Sequence, residues 1–158
     1  LGAGEEVTSR ELPPLLHTRR DHACGCYTVE DSQVRLLTPC PPSLTTLQVL
    51  LVTGGVSSYT GYLSTTELFP YTGPGAGSWR EAGLLPSLRA GLRAAKVGDL
   101  LHVTGGAIDG TGYMEEILTW DSVSESWSVA GHMKTARSFH GVTEVSLAVV
   151  ADYCSVNE

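Results

Sequence analysis

Two tryptophans in this chain stand 48 residues apart, and other features keep the same step. Trp79 is followed by Ala82-Gly83 and Trp127 by Ala130-Gly131, and each unit then closes on an arginine, Arg89 and Arg137. Upstream of each tryptophan lies a glutamate beside apolar residues, Glu67-Leu68-Phe69 and Glu116-Ile117-Leu118. Upstream again, a short apolar run ends in Thr-Gly-Gly, at Gly54-Gly55 and at Gly105-Gly106. One Gly-Gly is weak evidence, but a glycine pair, a glutamate, a tryptophan and an arginine recurring together in fixed order define a repeat of about 50 residues. Such a unit cannot bury its apolar face alone, so it must stack on copies of itself.

The residue types indicate what the unit is. The runs at Val49 to Val52 and Leu100 to Val103 are short and continuously apolar, as expected for strands covered on both faces. Gly-Gly at the end of such a run serves a backbone that turns with φ > 0 or passes close to a neighbour. The chain has 18 Gly against 2 Phe and 2 Met, which also favours many turns between short strands. Order and spacing together resemble the kelch-repeat family. The resemblance implies an all-β fold of kelch-type β-propeller blades, each a four-stranded antiparallel sheet around a central channel. It also implies that Trp79 and Trp127 fill the space between blades, and that Arg89 and Arg137 tie one blade to the next.

The resemblance covers nearly the whole chain. Residues 1–18 match the outer strand of a preceding blade, with Ser9 at the tryptophan position, and a linker. Residues 19–83 form one blade and 84–131 a second, while 132–158 begin a third, with strands expected at 139–145 and 147–150. Ala151-Asp152 stands there where Gly-Gly is expected. Arg19-Arg20-Asp21-His22 parallels Arg137-Ser138-Phe139-His140, which puts a first strand near His22 to Val29. With two full repeats and partial flanks, the expected object is an incomplete propeller, a fragment that opens on Leu1 and exposes its blade faces. Self-association is the expected consequence.

One segment breaks the pattern. Residues 34–48 are rich in Pro and Thr, and joining Gln33 to Val49 would restore a near-normal spacing. Two readings stand: a long loop between the first two strands, emerging at one rim, or a translated intron, whose Val-Arg start and Gln end suit splice borders.

Composition limits the function. Apolar residues make up 42% and charged residues 17%, a globular balance. With a formal charge of −7 and only Arg19-Arg20 adjacent, the chain lacks the basic stripe that nucleic acid requires. No apolar run reaches the length of a membrane helix, and no signal peptide opens the chain. Compartment is left open. Cys24, Cys26, Cys40 and Cys154 form neither a disulfide framework nor a paired zinc pattern. His22, Cys24 and Cys26 alternate on one strand face, but three ligands along one strand rarely converge on a tetrahedral ion, so buried or disulfide-bonded cysteines are expected. The glycine-rich stretch 70–78 lacks the Lys-Ser/Thr of a phosphate loop and reads as a turn.

The expectation is a scaffold that binds another protein through rim loops, with no cofactor and no metal. The loops that vary between repeats are 56–64, 107–113 and the insert, and they carry Tyr59, Tyr62, Tyr113 and Asp109. Amphipathic aromatics of this kind are enriched at binding hot spots. The alternative is a fragment of a kelch-like enzyme, of copper-oxidase or sugar-modifying type. Against it, the five histidines fall at structural positions and no catalytic pair is legible.

Overall fold

The structure is a computed structural model that describes residues 11–30, 46–71, 77–108 and 112–145. The described residues are all-β. Strands β1 (Ala23–Glu30), β2 (Thr46–Thr53), β3 (Val56–Ser57), β4 (Gly61–Tyr62), β5 (Thr66–Tyr71) and β6 (Arg80–Ala82) belong to the first repeat. Strands β7 (Arg93–Val97), β8 (Leu100–Thr104), β9 (Ala107–Ile108), β10 (Gly112–Tyr113), β11 (Glu116–Asp121) and β12 (Ser126–His132) belong to the second. Each repeat makes one four-stranded antiparallel sheet in the orders β1-β2-β5-β6 and β7-β8-β11-β12, and one small hairpin, β3-β4 or β9-β10. These are two kelch-type blades of an incomplete propeller.

The blades stack face to face, and strand alternation decides which residues meet. Ala23, Tyr27, Val49, Leu51 and Leu68 share one face of the first sheet by register. They form a single core with Leu101, Val103, Leu118, Trp120 and Trp127 of the second. Fully burying each of these leucines contributes about 1.5–3 kcal/mol. Glycine allows the closest approach: a Cβ on Gly25 would lie 2.5 Å from Leu101, and one on Gly83 would overlap the Glu125 carbonyl. At the outer end of the seam Arg80 Nη1 donates to Glu125 Oε2 at 2.7 Å, an exposed pair worth little by itself.

The two blades differ in the hairpin between their first two strands. In the second blade it closes at Val97 opposite Leu100. In the first, pairing continues beyond Tyr27–Val49 to Glu30–Thr46. Residues 46–48, set apart by the sequence pattern as part of the insert, are thus paired in β2, and 34–45 lie outside the described residues.

Beyond β12, residues 133–145 cross the second blade without strand pairing. The strand expected over 139–145 is not formed, and its expected neighbour, 147–150, lies outside the described residues. The segment is held by backbone bonds instead, Phe139 N–H to the Gly91 carbonyl at 2.8 Å and Gly98 N–H to Glu144 Oε1 at 3.1 Å.

Candidate interaction surface

The Gly-Gly turns organise one end of both blades. Gly54 and Gly55 have φ of 64° and 98°, and Gly105 and Gly106 have 61° and 107°, in the region side chains avoid. A Cβ on Gly54 would also sit 2.8 Å from the Arg89 carbonyl. The turns knit one unit to the next: Gly55 N–H donates to the Arg89 carbonyl at 2.8 Å, and Gly106 N–H to the Arg137 carbonyl at 3.0 Å. Each turn then feeds a small hairpin, β3-β4 or β9-β10, pinned by a bridge, Arg20 to Val56 in the first blade and Ala90 to Ala107 in the second.

Below each turn sits an arginine–glutamate latch. Arg89 is fully buried. Its Nη2 donates to Glu116 Oε2 at 2.5 Å and to Ser87 Oγ at 2.6 Å, and its Nη1 reaches the Gly105 carbonyl at 3.4 Å. The first latch is tighter and involves a residue outside the recurring set read from the sequence. Arg19 donates to Glu67, to the Gly54 carbonyl at 2.9 Å and to the Thr65 carbonyl at 3.0 Å. Glu67, itself fully buried, also accepts the backbone N–H groups of Leu16 (2.7 Å) and His17 (3.1 Å). Burial pulls the Arg19 pKa below its ordinary value, against the opposing pull of Glu67. The long insert hides the Arg19 spacing. The parallel between Arg19-Arg20 and Arg137-Ser138 was the only signal that could have found it.

The tryptophans diverge. Trp127 is buried and its indole N–H donates to Thr66 Oγ1 of the other blade at 2.9 Å. Trp79 is half-buried, tilted against Phe69 at 5.3 Å, with its N–H on the Pro13 carbonyl at 2.8 Å. The 11–20 segment thus lies over the outer part of the first blade's far face.

The inner part of that face is uncovered among the described residues. Cys24 and Cys26 are free and exposed, which corrects the expectation of buried or bonded cysteines: among the described residues no sheet lies on that side of β1. Cys40 and Cys154 fall outside the described residues. Both Cys24 and Cys26 will label with a thiol reagent within minutes in native buffer, as read by mass spectrometry of the digested chain. Protection of both would mean that another sheet covers the face.

At the hairpins, Tyr59 is 88% exposed and Tyr113 67%, while Tyr62 is half-buried. Asp109 lies outside the described residues. Beside Tyr113 an open groove of about 410 Å³ is floored by Ser87 and Met114 and flanked by Glu115 and His132, which pair at 3.6 Å. The histidines that recur with the repeat serve packing. His140 Nε2 meets Thr104 Oγ1 at 2.7 Å. Burial first, then Arg137 and Arg93, hold the His140 pKa below 6.5, and burial followed by Arg19 does the same for His22. Among the described residues no three His, Cys, Asp or Glu side chains gather to hold a metal.

No family model matches the chain. Among curated proteins it is similar to Kelch-like protein 25 of Homo sapiens, 36% identical over 74 residues, covering 46% of this chain and 13% of that protein. Kelch-like protein 30 of Mus musculus is 32% identical over 89 residues, 54% of this chain and 15% of that protein. Kelch-like protein 21 of Homo sapiens is 28% identical over 145 residues, 87% of this chain and 23% of that protein. The chain therefore spans less than a quarter of the length of these relatives. Among solved structures, a copper-bound fungal alcohol oxidase of the AA5 family superposes with a TM-score of 0.47 at 17% identity, over 71% of this chain and 23% of that one, a likeness too slight to speak for fold or chemistry. With the 48-residue step expressed as two stacked four-stranded sheets and a kelch-like protein matching along 87% of its length, the chain is similar to kelch-repeat proteins.

Proposed function

We propose that the chain is part of a non-enzymatic protein-binding scaffold whose rim hairpins, β3-β4 and β9-β10, contact a protein partner. One observation carries this reading: Tyr59 and Tyr113 stand almost free of the fold on hairpins that backbone bridges hold at the same end of both blades. A large amphipathic ring held on a rigid turn supplies contact area at little entropic cost, which is why tyrosine recurs at hot spots. The groove beside Tyr113 gives a partner side chain a place to seat. The kelch-like names of the relatives support the same class. The open blade faces, including the one bearing Cys24 and Cys26, add a tendency to self-associate.

The test is a quantitative capture experiment with the wild-type chain and the Tyr59→Ala/Tyr113→Ala double variant. Both side chains are exposed, so thermal unfolding of the variant should match wild type, while its bound partners fall at least about tenfold, as for the loss of a hot-spot pair. An unchanged partner set would sink the rim reading.

A further inference from the structure

Next to its tyrosine the second rim hairpin carries an acid where the first has none. Glu115 follows Tyr113-Met114, and Ser64 follows Tyr62-Leu63. Backbone bonds make the two places equivalent. Met114 N–H donates to the Gly106 carbonyl at 2.9 Å, as Leu63 N–H donates to that of Gly55 at 2.9 Å. Met133 N–H donates to the Glu115 carbonyl at 2.7 Å, as Leu85 N–H donates to that of Ser64 at 2.9 Å. One blade is thus built with a neutral side chain at this place, so the carboxylate of Glu115 is not required by the fold.

The groove beside Tyr113 collects that charge. Glu115 and Glu116 both line it, with side chains 55% and 33% exposed. Among the described residues Glu115 pairs only with His132, at 3.6 Å, too far for a hydrogen bond. Glu116 gives Oε2 to Arg89, and among the described residues its Oε1 accepts no hydrogen bond. Tyr113 adds an exposed ring and Met114 a partly buried thioether. Neighbouring cations leave the groove acidic. Arg89 is buried and offsets one carboxylate from below, while the exposed Lys134 and Arg137 are not among the residues that line it.

We propose, on the footing of the rim reading, that this groove seats an arginine side chain of a protein partner. The guanidinium lies between the carboxylates of Glu115 and Glu116 and against the Tyr113 ring, with its methylenes along Met114. A planar guanidinium suits this set better than an ammonium does. It can face two carboxylates in one plane and stack on an aromatic ring with the same atoms. Each contact to a carboxylate is charge-assisted, and arginine is among the residues that most often anchor an interface. An acidic side chain would meet like charge on entering, in a chain whose net charge is already −7. A volume of about 410 Å³ leaves room for the whole side chain.

N-acetyl-arginine amide is the direct probe, titrated into the isotopically labelled 158-residue chain and read by the backbone amide NMR spectrum. The amides of residues 113–116 and of His132 should shift, with a dissociation constant on the order of 1 mM for a ligand of this size. N-acetyl-glutamine amide should leave them in place, and N-acetyl-lysine amide should bind more weakly than the arginine probe. Glu115→Gln, at an exposed side chain that the first blade does without, should weaken arginine binding about fivefold and leave the rest of the spectrum unchanged. A silent arginine probe, equal shifts from the glutamine probe, or undiminished affinity in Glu115→Gln would each overturn the proposal. Capture by Tyr59→Ala/Tyr113→Ala that matches wild type would remove the rim reading and the arginine seat with it. Lost capture beside a silent arginine probe would remove the seat alone.

Discussion

Trp127→Ala will lower the unfolding free energy by about 3–5 kcal/mol, enough to unfold much of a marginal domain. Trp127 belongs to the second blade, yet its ring is part of the core shared by both and stands 5.1 Å from Trp120. Its N–H ends a chain of bonds in the first blade, Trp127 to Thr66 and Thr66 to Thr53 at 2.8 Å. Truncation therefore opens a cavity at the seam and removes a buried bond at the same time. Trp127→Phe keeps most of the ring and loses the N–H, for about 1–2 kcal/mol. Trp79→Ala, at the equivalent position, will cost about 1–2 kcal/mol, since that ring is only partly buried. Urea unfolding followed by circular dichroism reads all three variants. Equal losses at Trp79 and Trp127 would show that the seam between blades is not the principal core.

Glu67→Gln will be the most damaging polar substitution, at about 3–5 kcal/mol, because it leaves the buried Arg19 guanidinium without its counter-charge. The matching change at the second latch, Glu116→Gln, also removes the counter-charge of a buried arginine but will cost less, about 1–3 kcal/mol, as that carboxylate is 33% exposed and water can replace part of what it gives. The sequence contains the reason for the difference. Counting back three residues from each arginine reaches Leu16 in one unit and Pro86 in the other. Leu16 gives Glu67 a backbone N–H, and proline has none to give. Replacing both partners of the first latch, as Arg19→Met with Glu67→Leu, should recover much of the loss, since apolar pairs of similar volume replace buried ion pairs well. Hydrogen exchange over residues 11–20 supplies the second readout: in Glu67→Gln this segment should exchange faster while β7-β8 stays protected. If Glu67→Gln proves no worse than Glu116→Gln, the buried cluster is not what holds the segment.

How much of this was legible beforehand depends on whether a feature is local or needs a neighbour. The glycine pairs were readable because a backbone at φ of 61° to 107° selects glycine wherever it occurs. The four-strand units and their order followed from the 48-residue step and the short apolar runs, since covered strands need both. The start of β2 was misread because Thr46 and Leu47 follow three prolines, and the hairpin extends through pairing that composition does not encode. The latches were half visible. Glu67, Glu116, Arg89 and Arg137 recur at readable spacing, whereas Arg19 is displaced by the insert and His17 has no counterpart in the second unit.

The amino-acid sequence by itself determined the repeat, the strands within it, the turns between them and the residues able to lie between blades, all consequences of side-chain volume and backbone freedom acting within one unit. Tertiary structure alone decided which copy of each repeated residue is buried. Trp127 and Arg89 lie under neighbouring elements, while Trp79 is half covered and Arg137 is bare, although the local pattern around them is the same. Cys24 and Cys26 alternate with core residues on a strand of the interior, and the side they face has no sheet upon it among the described residues. Burial is a property of two surfaces in contact, and a repeat specifies only one of them.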